Sequence, residues 1–198
     1  MIRTLLFIGC LFVVADSIAQ GELPVRDSLP YVEAGDFPAD YGPGSIIART
    51  IDGLGYRYHW ATKGLTDGDL ATRPTPEARS LRETLDHLYN LSVMTLNAGP
   101  GAFVERQTAT GMSFTDLRAA TLRNLSTASE RFRGLSPDDF EALEIRFRND
   151  GSSGAPIWYL LNGPLADAIY HTGQVVTLRR MNGNPMNPNV NVFRGRNR

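Results

Sequence analysis

Apolar residues recur every three or four positions along four stretches of the chain. In the first stretch, near residues 45–65, the recurring positions are Ile47, Ile51, Leu54, Tyr58, Ala61 and Leu65. This spacing places them on one face of an amphipathic helix. Similar stripes occur near residues 80–97, 113–134 and 157–181. Four amphipathic helices joined by loops predict an all-α fold, a four-helix bundle.

Polar residues mark the expected ends of these helices. Ser80 and Ser113 stand at two predicted N-termini, and an acidic residue, Glu83 or Asp116, follows each of them three positions later. That pattern is typical of a capping box, in which the two side chains cap each other's backbone N–H groups. The last helix is expected to end at 182–185, where glycine and proline follow its final apolar position.

Proline and glycine predict the connections between the helices. Residues 66–79 and 99–112 are expected to be loops. Residues 140–147 are expected to form either one short strand or a helical turn. Pro164 is expected either to kink the last helix or to occupy its first turn, behind an N-cap at Asn162.

The first residues resemble an export signal rather than part of a fold. A short basic start, Met1-Ile2-Arg3, precedes a nearly continuous apolar run, and the small residues Ser17 and Ala19 follow. These features predict a secretory signal peptide at 1–19 with cleavage near Ala19 or Gln20, and hence a periplasmic or secreted protein. A lipoprotein would need Cys10 as the lipidated residue, but Cys10 lies early, inside the apolar run. That run is shorter than the roughly 20 residues of a membrane helix, so no span is expected after cleavage.

The rest of the chain is expected to form one domain. Its segments are an extended, proline-containing lead-in at 20–44, the bundle at 45–185 and a C-terminal tail at 186–198. The 20 Lys and Arg residues nearly balance 21 Asp and Glu residues, so no nucleic-acid footprint is present. The only cysteine lies in the predicted signal peptide, which excludes disulfides and thiolate ligands from the mature protein. Any metal must therefore bind through His, Asp or Glu.

The predicted last helix carries a polar interruption in an otherwise apolar stripe. The positions of this stripe are Leu160, Pro164, Asp167, His171, Gln174, Leu178 and Met181. Their spacing predicts that all seven face the core, where an ionisable pair costs several kcal/mol unless a partner satisfies it. Asp167 and His171 are one turn apart, so both side chains can reach one metal ion.

His87, in the second predicted helix, is the candidate third ligand. Two imidazoles and one carboxylate would leave coordination positions open, as in catalytic rather than structural sites. The alternative is a hydrogen-bonded cluster without a metal. Gln174 is expected to support the site by hydrogen bonding, and Glu83 is a fourth ligand, a supporting partner or only the helix cap. His59, which lies among aromatic residues, is expected to be core.

These residues resemble the DinB-like family, whose members are similar to bacillithiol- and mycothiol-dependent transferases. The resemblance lies in the lone His87 of the second helix and in the run from Asp167 to Gln174, and it covers most of residues 45–185. It implies a four-helix bundle with a divalent metal. Three histidines hold the metal in the family, and here Asp167 replaces one of them. The metal, whether zinc, nickel, manganese or iron, is not distinguished.

The resemblance predicts the site better than the reaction. One hypothesis is a metal-dependent hydrolase or transferase that acts on a small molecule, with a metal-bound water as the suspected nucleophile. A second hypothesis is a non-catalytic metal- or ligand-binding envelope protein. A third is a bundle that has lost its metal. The sequence leaves homodimerisation open.

Overall fold

A computed structural model of the chain describes residues 29–98, 103–104, 107–147 and 154–198. The predicted signal peptide and its cleavage site lie outside these residues. The helices are α1 (Pro43–Thr62), α2 (Asp67–Ala71), α3 (Leu81–Leu96), α4 (Phe114–Arg133), α5 (Pro137–Glu141), α6 (Trp158–Leu160) and α7 (Ala166–Met181). The strands are β1 (Phe103–Val104), β2 (Glu144–Phe147) and β3 (Ala155–Pro156). Among the described residues, no helix has both the length and the apolar character needed to cross a membrane.

The four long helices form a closed ring, which confirms the predicted all-α bundle. In this ring α1 packs against α4 and α7, and α3 packs against the same two helices. The predicted apolar stripes of α1 and α3 are buried, as is most of that of α4. Ser80 and Glu83 form the predicted capping box, and the Ser113 side chain accepts a hydrogen bond from the backbone N–H of Asp116. The sequence pattern therefore located the long helices to within a few residues at either end.

Short elements occupy segments that were expected to be irregular. The predicted loop at 66–79 contains α2, whose N-terminus is capped reciprocally by Thr66 and Asp69. Residues 140–147 lie partly in α5 and partly in β2, so the two predicted alternatives are both present. Strand β2 pairs in parallel with β1 and antiparallel with β3. Elements of five residues or fewer are too short to show a period, so the stripes could not reveal them.

The last long helix contains a π turn rather than a cap or a simple kink. Residues Leu161–Leu165 form this π turn, which contains Pro164 and continues directly into α7. A proline has no N–H to donate and its ring clashes with the preceding turn, so the wider turn accommodates it. Asn162 makes no side-chain cap there.

The described lead-in and the C-terminal tail both pack on α1. The Tyr31 ring lies so close to Gly55 that a Cβ on Gly55 would come within 2.4 Å of it. The Ala34 N–H donates to the Gly195 carbonyl at 2.7 Å, and the Tyr56 hydroxyl donates to the Asn197 side chain at 2.9 Å. The two segments are therefore joined to each other and to the bundle.

Candidate metal centre

Helices α3 and α7 bring the three predicted ligands together. His87 Nε2 lies 2.9 Å from Asp167 Oδ2, and His171 Nε2 lies 3.3 Å from Asp167 Oδ1. One ligand atom from each residue lies within 4.8 Å of the other two, so this triad could hold a metal ion. The i,i+4 spacing on α7 supplies two of the groups, and the packing of α3 against α7 supplies the third.

Gln174 determines how His171 faces the triad. The His171 Nδ1–H donates to Gln174 Oε1 at 2.7 Å. With the proton on Nδ1, the neutral ring directs the Nε2 lone pair toward Asp167 Oδ1, which is also an acceptor. Two acceptors at this distance repel each other unless a metal ion, or a second ring proton on Nε2, lies between them. The donor set therefore fits a metal ion, because the ion would satisfy both lone pairs.

His87 completes the arrangement from the other helix. Its ring lies edge-to-face with that of His171, with centroids 4.7 Å apart and an angle of 89° between the planes. Each imidazole contacts a different oxygen of the Asp167 carboxylate. Two imidazoles and a carboxylate suit zinc and other divalent transition metals. Without a metal, a proton on His87 Nε2 would account for its contact with Asp167.

The triad lies at the edge of the core, which corrects the prediction from the polar stripe. Side-chain exposure is 12% for His171, 28% for His87 and 41% for Asp167, and Met181, predicted to face the core, is 71% exposed. The π turn explains the difference, because its i→i+5 bonding adds one residue to a turn. After it, Ala168, Thr172, Val175 and Arg179 are buried, each one position beyond the predicted stripe, together with Leu178, which lies on that stripe. Solvent can reach the triad.

One cavity opens beside His171 and another beside His87. One, of about 830 Å³, is lined by His171 and Gln174 from α7 and by the 74–79 segment. The other, of about 610 Å³, is lined by His87 and by residues 107–110. Both volumes are in the range of sites that bind small molecules. The sequence pattern did not indicate either cavity, because each is formed by segments distant in the chain.

Other candidate residues lie away from the triad. The Glu83 carboxylate accepts from the Ser80 backbone N–H at 2.7 Å and pairs with Arg73, so it serves as the helix cap and not as a partner of the site. His59 is fully buried, and its Nδ1 lies 2.8 Å from the Pro30 carbonyl, which confirms that it is a core residue. Trp158 and Tyr159, two aromatic residues of the last helical stretch, are exposed rather than packed in the core.

Tyr170 is a neighbour of the site that the sequence pattern did not single out. Its ring lies 5.3 Å from that of His171, in an edge-on arrangement, and is largely exposed. It lines the larger cavity. Its position next to His171 in the sequence was the only available signal.

The comparison with protein families agrees with this geometry. A family model described as the DinB superfamily matches residues 51–175, which include all three triad residues. No curated protein and no solved structure matches the chain significantly.

Proposed function

The chain belongs to the DinB superfamily, and from that premise we propose that it is an exported metalloprotein that holds one divalent ion between His87, Asp167 and His171. The proposed activity is metal-dependent hydrolysis or group transfer on a small molecule. The observation that carries the proposal is the contact between His171 Nε2 and Asp167 Oδ1, two acceptors 3.3 Å apart. Either a metal ion or a second proton on Nε2 satisfies both atoms, and the convergence of His87 on the same carboxylate together with the family match favours the metal ion.

Gln174 and Asp167 would have separate roles at the site. A divalent ion bound here would act as a Lewis acid that polarises a substrate oxygen and lowers the pKa of a nucleophile. Gln174 keeps the His171 proton on Nδ1, so that Nε2 remains a ligand atom. Asp167, whose two oxygens contact the two imidazoles, would also offset part of the charge of such an ion. The cavities beside His171 and His87 would admit the small molecule.

Partial exposure of the triad favours a reactive ion over a closed structural one. Structural sites usually surround zinc with four protein ligands, whereas only three groups converge here among the described residues. The four buried stripes provide a core that does not depend on a metal. We therefore expect metal removal to leave the bundle folded. A sharp loss of thermal stability on chelation would instead support a structural ion.

Metal binding can be tested by isothermal titration of zinc, nickel, manganese and ferrous iron into the metal-free mature protein. Wild type is compared with His171→Ala and with Arg180→Gln, a control at an exposed α7 residue outside the triad. We expect one ion per chain for wild type and the control, and loss of most of the affinity for His171→Ala. Equal binding by wild type and His171→Ala would refute the site.

Export is proposed from the N-terminal sequence alone. The basic start, the apolar run and the small residues Ser17 and Ala19 support it. Expression of the full chain in a Gram-negative host, followed by fractionation and intact-mass measurement, tests it. The expected product is periplasmic or secreted and begins near Gln20. A cytosolic, full-length protein as the sole product would contradict the proposal.

A further inference from the structure

The larger cavity next to the triad has an apolar lining with a single permanent charge. Apolar surface comes from Pro74, Ala78, Leu178 and Met181, and neutral polar groups come from Thr84, Tyr170, Gln174 and Thr177. Among the described lining residues, Arg79 alone is a lysine, arginine, aspartate or glutamate. The cavity reaches the candidate metal centre at His171, so a molecule held there would lie beside a candidate ligand of the ion and within reach of a guanidinium.

Arg79 differs from its neighbours in the use of its guanidinium. Arg73 pairs with Glu83 and donates to the Ala78 carbonyl, and Arg82 pairs with Asp86 and donates to the Met112 carbonyl. Within the described part of the chain, no hydrogen bond or ion pair engages Arg79. Its donors are therefore available to a ligand. Guanidinium groups bind carboxylates through two parallel hydrogen bonds.

We propose that this cavity binds a small monocarboxylate with an apolar body, whose carboxylate pairs with Arg79 while its other end lies at His171. This inference rests on the proposed function and names its substrate class. A monoanion fits better than a phosphate dianion, because one arginine would leave the second negative charge unpaired against apolar surface. The volume of about 830 Å³ accommodates an aromatic or medium-chain acid.

Binding of matched probes tests the role of Arg79. The probes are 4-phenylbutanoate and its neutral amide, titrated calorimetrically at low ionic strength into the mature protein, both zinc-loaded and metal-free. We expect wild type to prefer the acid by about tenfold, the range of a charge-assisted hydrogen bond. Arg79→Gln should lose this preference, whereas Arg180→Gln should retain it. The preference should also persist in the metal-free protein.

Several outcomes would overturn the proposal. If the acid is preferred equally by Arg79→Gln and wild type, another group binds the carboxylate. If the preference disappears with the metal, the carboxylate binds the ion rather than Arg79. If neither the acid nor the amide binds wild type, the proposal is refuted as well. Failure of zinc to bind wild type would refute the metal site alone, because the metal-free titrations still test Arg79.

Gly173 offers an independent test of where the apolar body lies. This residue lines the cavity, and a Cβ built on it meets no atom within 4 Å. Gly173→Leu should therefore place a side chain in the cavity without disturbing the fold. We expect it to weaken binding of the acid and of the amide alike, while zinc affinity stays at the wild-type value. Unchanged probe binding would locate the ligand elsewhere and refute the proposal.

Discussion

Two polar clusters at opposite ends of α7 each contain one aspartate, but the surroundings of that aspartate differ. The locking cluster consists of Asp69, Arg179, Asn182 and Asn184, and the triad consists of His87, Asp167 and His171. In the locking cluster, Asp69 and Arg179 are almost completely buried. In the triad all three side chains remain partly exposed. Each cluster joins α7 to another part of the bundle.

Hydrogen bonding in the locking cluster is extensive. Asp69 accepts from the Asn182 and Asn184 amides at 2.7 Å each, and from the Thr66 N–H and hydroxyl. Arg179 donates to the carbonyls of residues 60, 61 and 63, at the C-terminus of α1, and to Asn184. These carbonyls have no partner within the helix, so Arg179 serves as their cap.

The side chains of the triad have fewer hydrogen-bond partners than those of the locking cluster. His171 Nε2 faces Asp167 Oδ1 at 3.3 Å, and both side chains are partly exposed. The comparison shows that buried polar groups alone do not identify a binding site on this helix. What distinguishes the triad is that three ligand atoms converge next to an open cavity, where an ion could reach and bind them.

The largest effect is expected from Arg179→Met. This change removes the partner of several buried carbonyls, so it should lower the free energy of unfolding by about 4 kcal/mol. For a domain of this size that corresponds to a fall in Tm of roughly 10 °C. Thermal unfolding followed by circular dichroism measures it, with Arg180→Met as the control. A change of less than about 1 kcal/mol would show that the locking cluster does not stabilise the fold.

Asp167→Asn should affect the metal and not the fold. Loss of the carboxylate should weaken zinc binding by about 100-fold or more, because even changes to supporting residues cost 10- to 100-fold. The metal-free protein should unfold at nearly the wild-type temperature. Asp69→Asn is the reciprocal control, since it should lower stability and preserve zinc affinity in the folded protein. The same response from both variants would remove the distinction between the clusters.

Acid should destabilise the locking cluster through Asp69. Burial would raise the pKa of Asp69, but hydrogen bonds from Asn182, Thr66 and Asn184 outweigh it and lower the pKa to about 2. The ionised Asp69 carboxylate therefore stabilises the fold fully above its pKa in the unfolded chain, which is about 4. As the pH falls toward 2 this stabilisation, about 2 kcal/mol of unfolding free energy, is lost. Denaturant unfolding of wild type and Asp69→Asn at pH 5 and pH 2 measures it. Equal losses in the two proteins would contradict this assignment.

A smaller effect is expected from Gln174→Leu. Without an acceptor for its Nδ1–H, His171 should no longer be held in the ligating tautomer, and zinc affinity should fall by about tenfold. Gln174→Glu supplies a carboxylate acceptor and should retain affinity at or above the wild-type value. Calorimetric titration compares the three proteins. Full affinity in Gln174→Leu would show that Gln174 does not support the site.

The smallest effect should come from Glu83→Ala. Loss of the capping box should cost about 1 kcal/mol of unfolding free energy, because the Ser80 N–H loses its partner. Zinc affinity should not change, since the Glu83 carboxylate bonds to Ser80 and Arg73 rather than to the triad. Chemical denaturation and zinc titration check the two statements. A marked loss of zinc affinity would restore Glu83 as a supporting residue of the site.

Local patterns predicted the long helices, most of their buried faces and the three residues that the fold brings together. Helical periodicity and capping residues act within a few positions of one another, so they can be recognised without knowing the fold. The i,i+4 spacing of Asp167 and His171 is a local property of the same kind. His87 could be proposed only by residue type and by resemblance, because its approach to α7 depends on helix packing.

Contacts between distant segments account for the features of the fold and the site that local patterns did not predict. The π turn around Pro164 moved the buried face of α7 by one residue and brought the triad to the edge of the core. The locking cluster and the cavity beside Arg79 unite residues from segments more than 80 positions apart. Such groupings depend on how the helices pack and where an extra residue enters a turn. No periodicity along the chain encodes them, because they arise from contacts between segments.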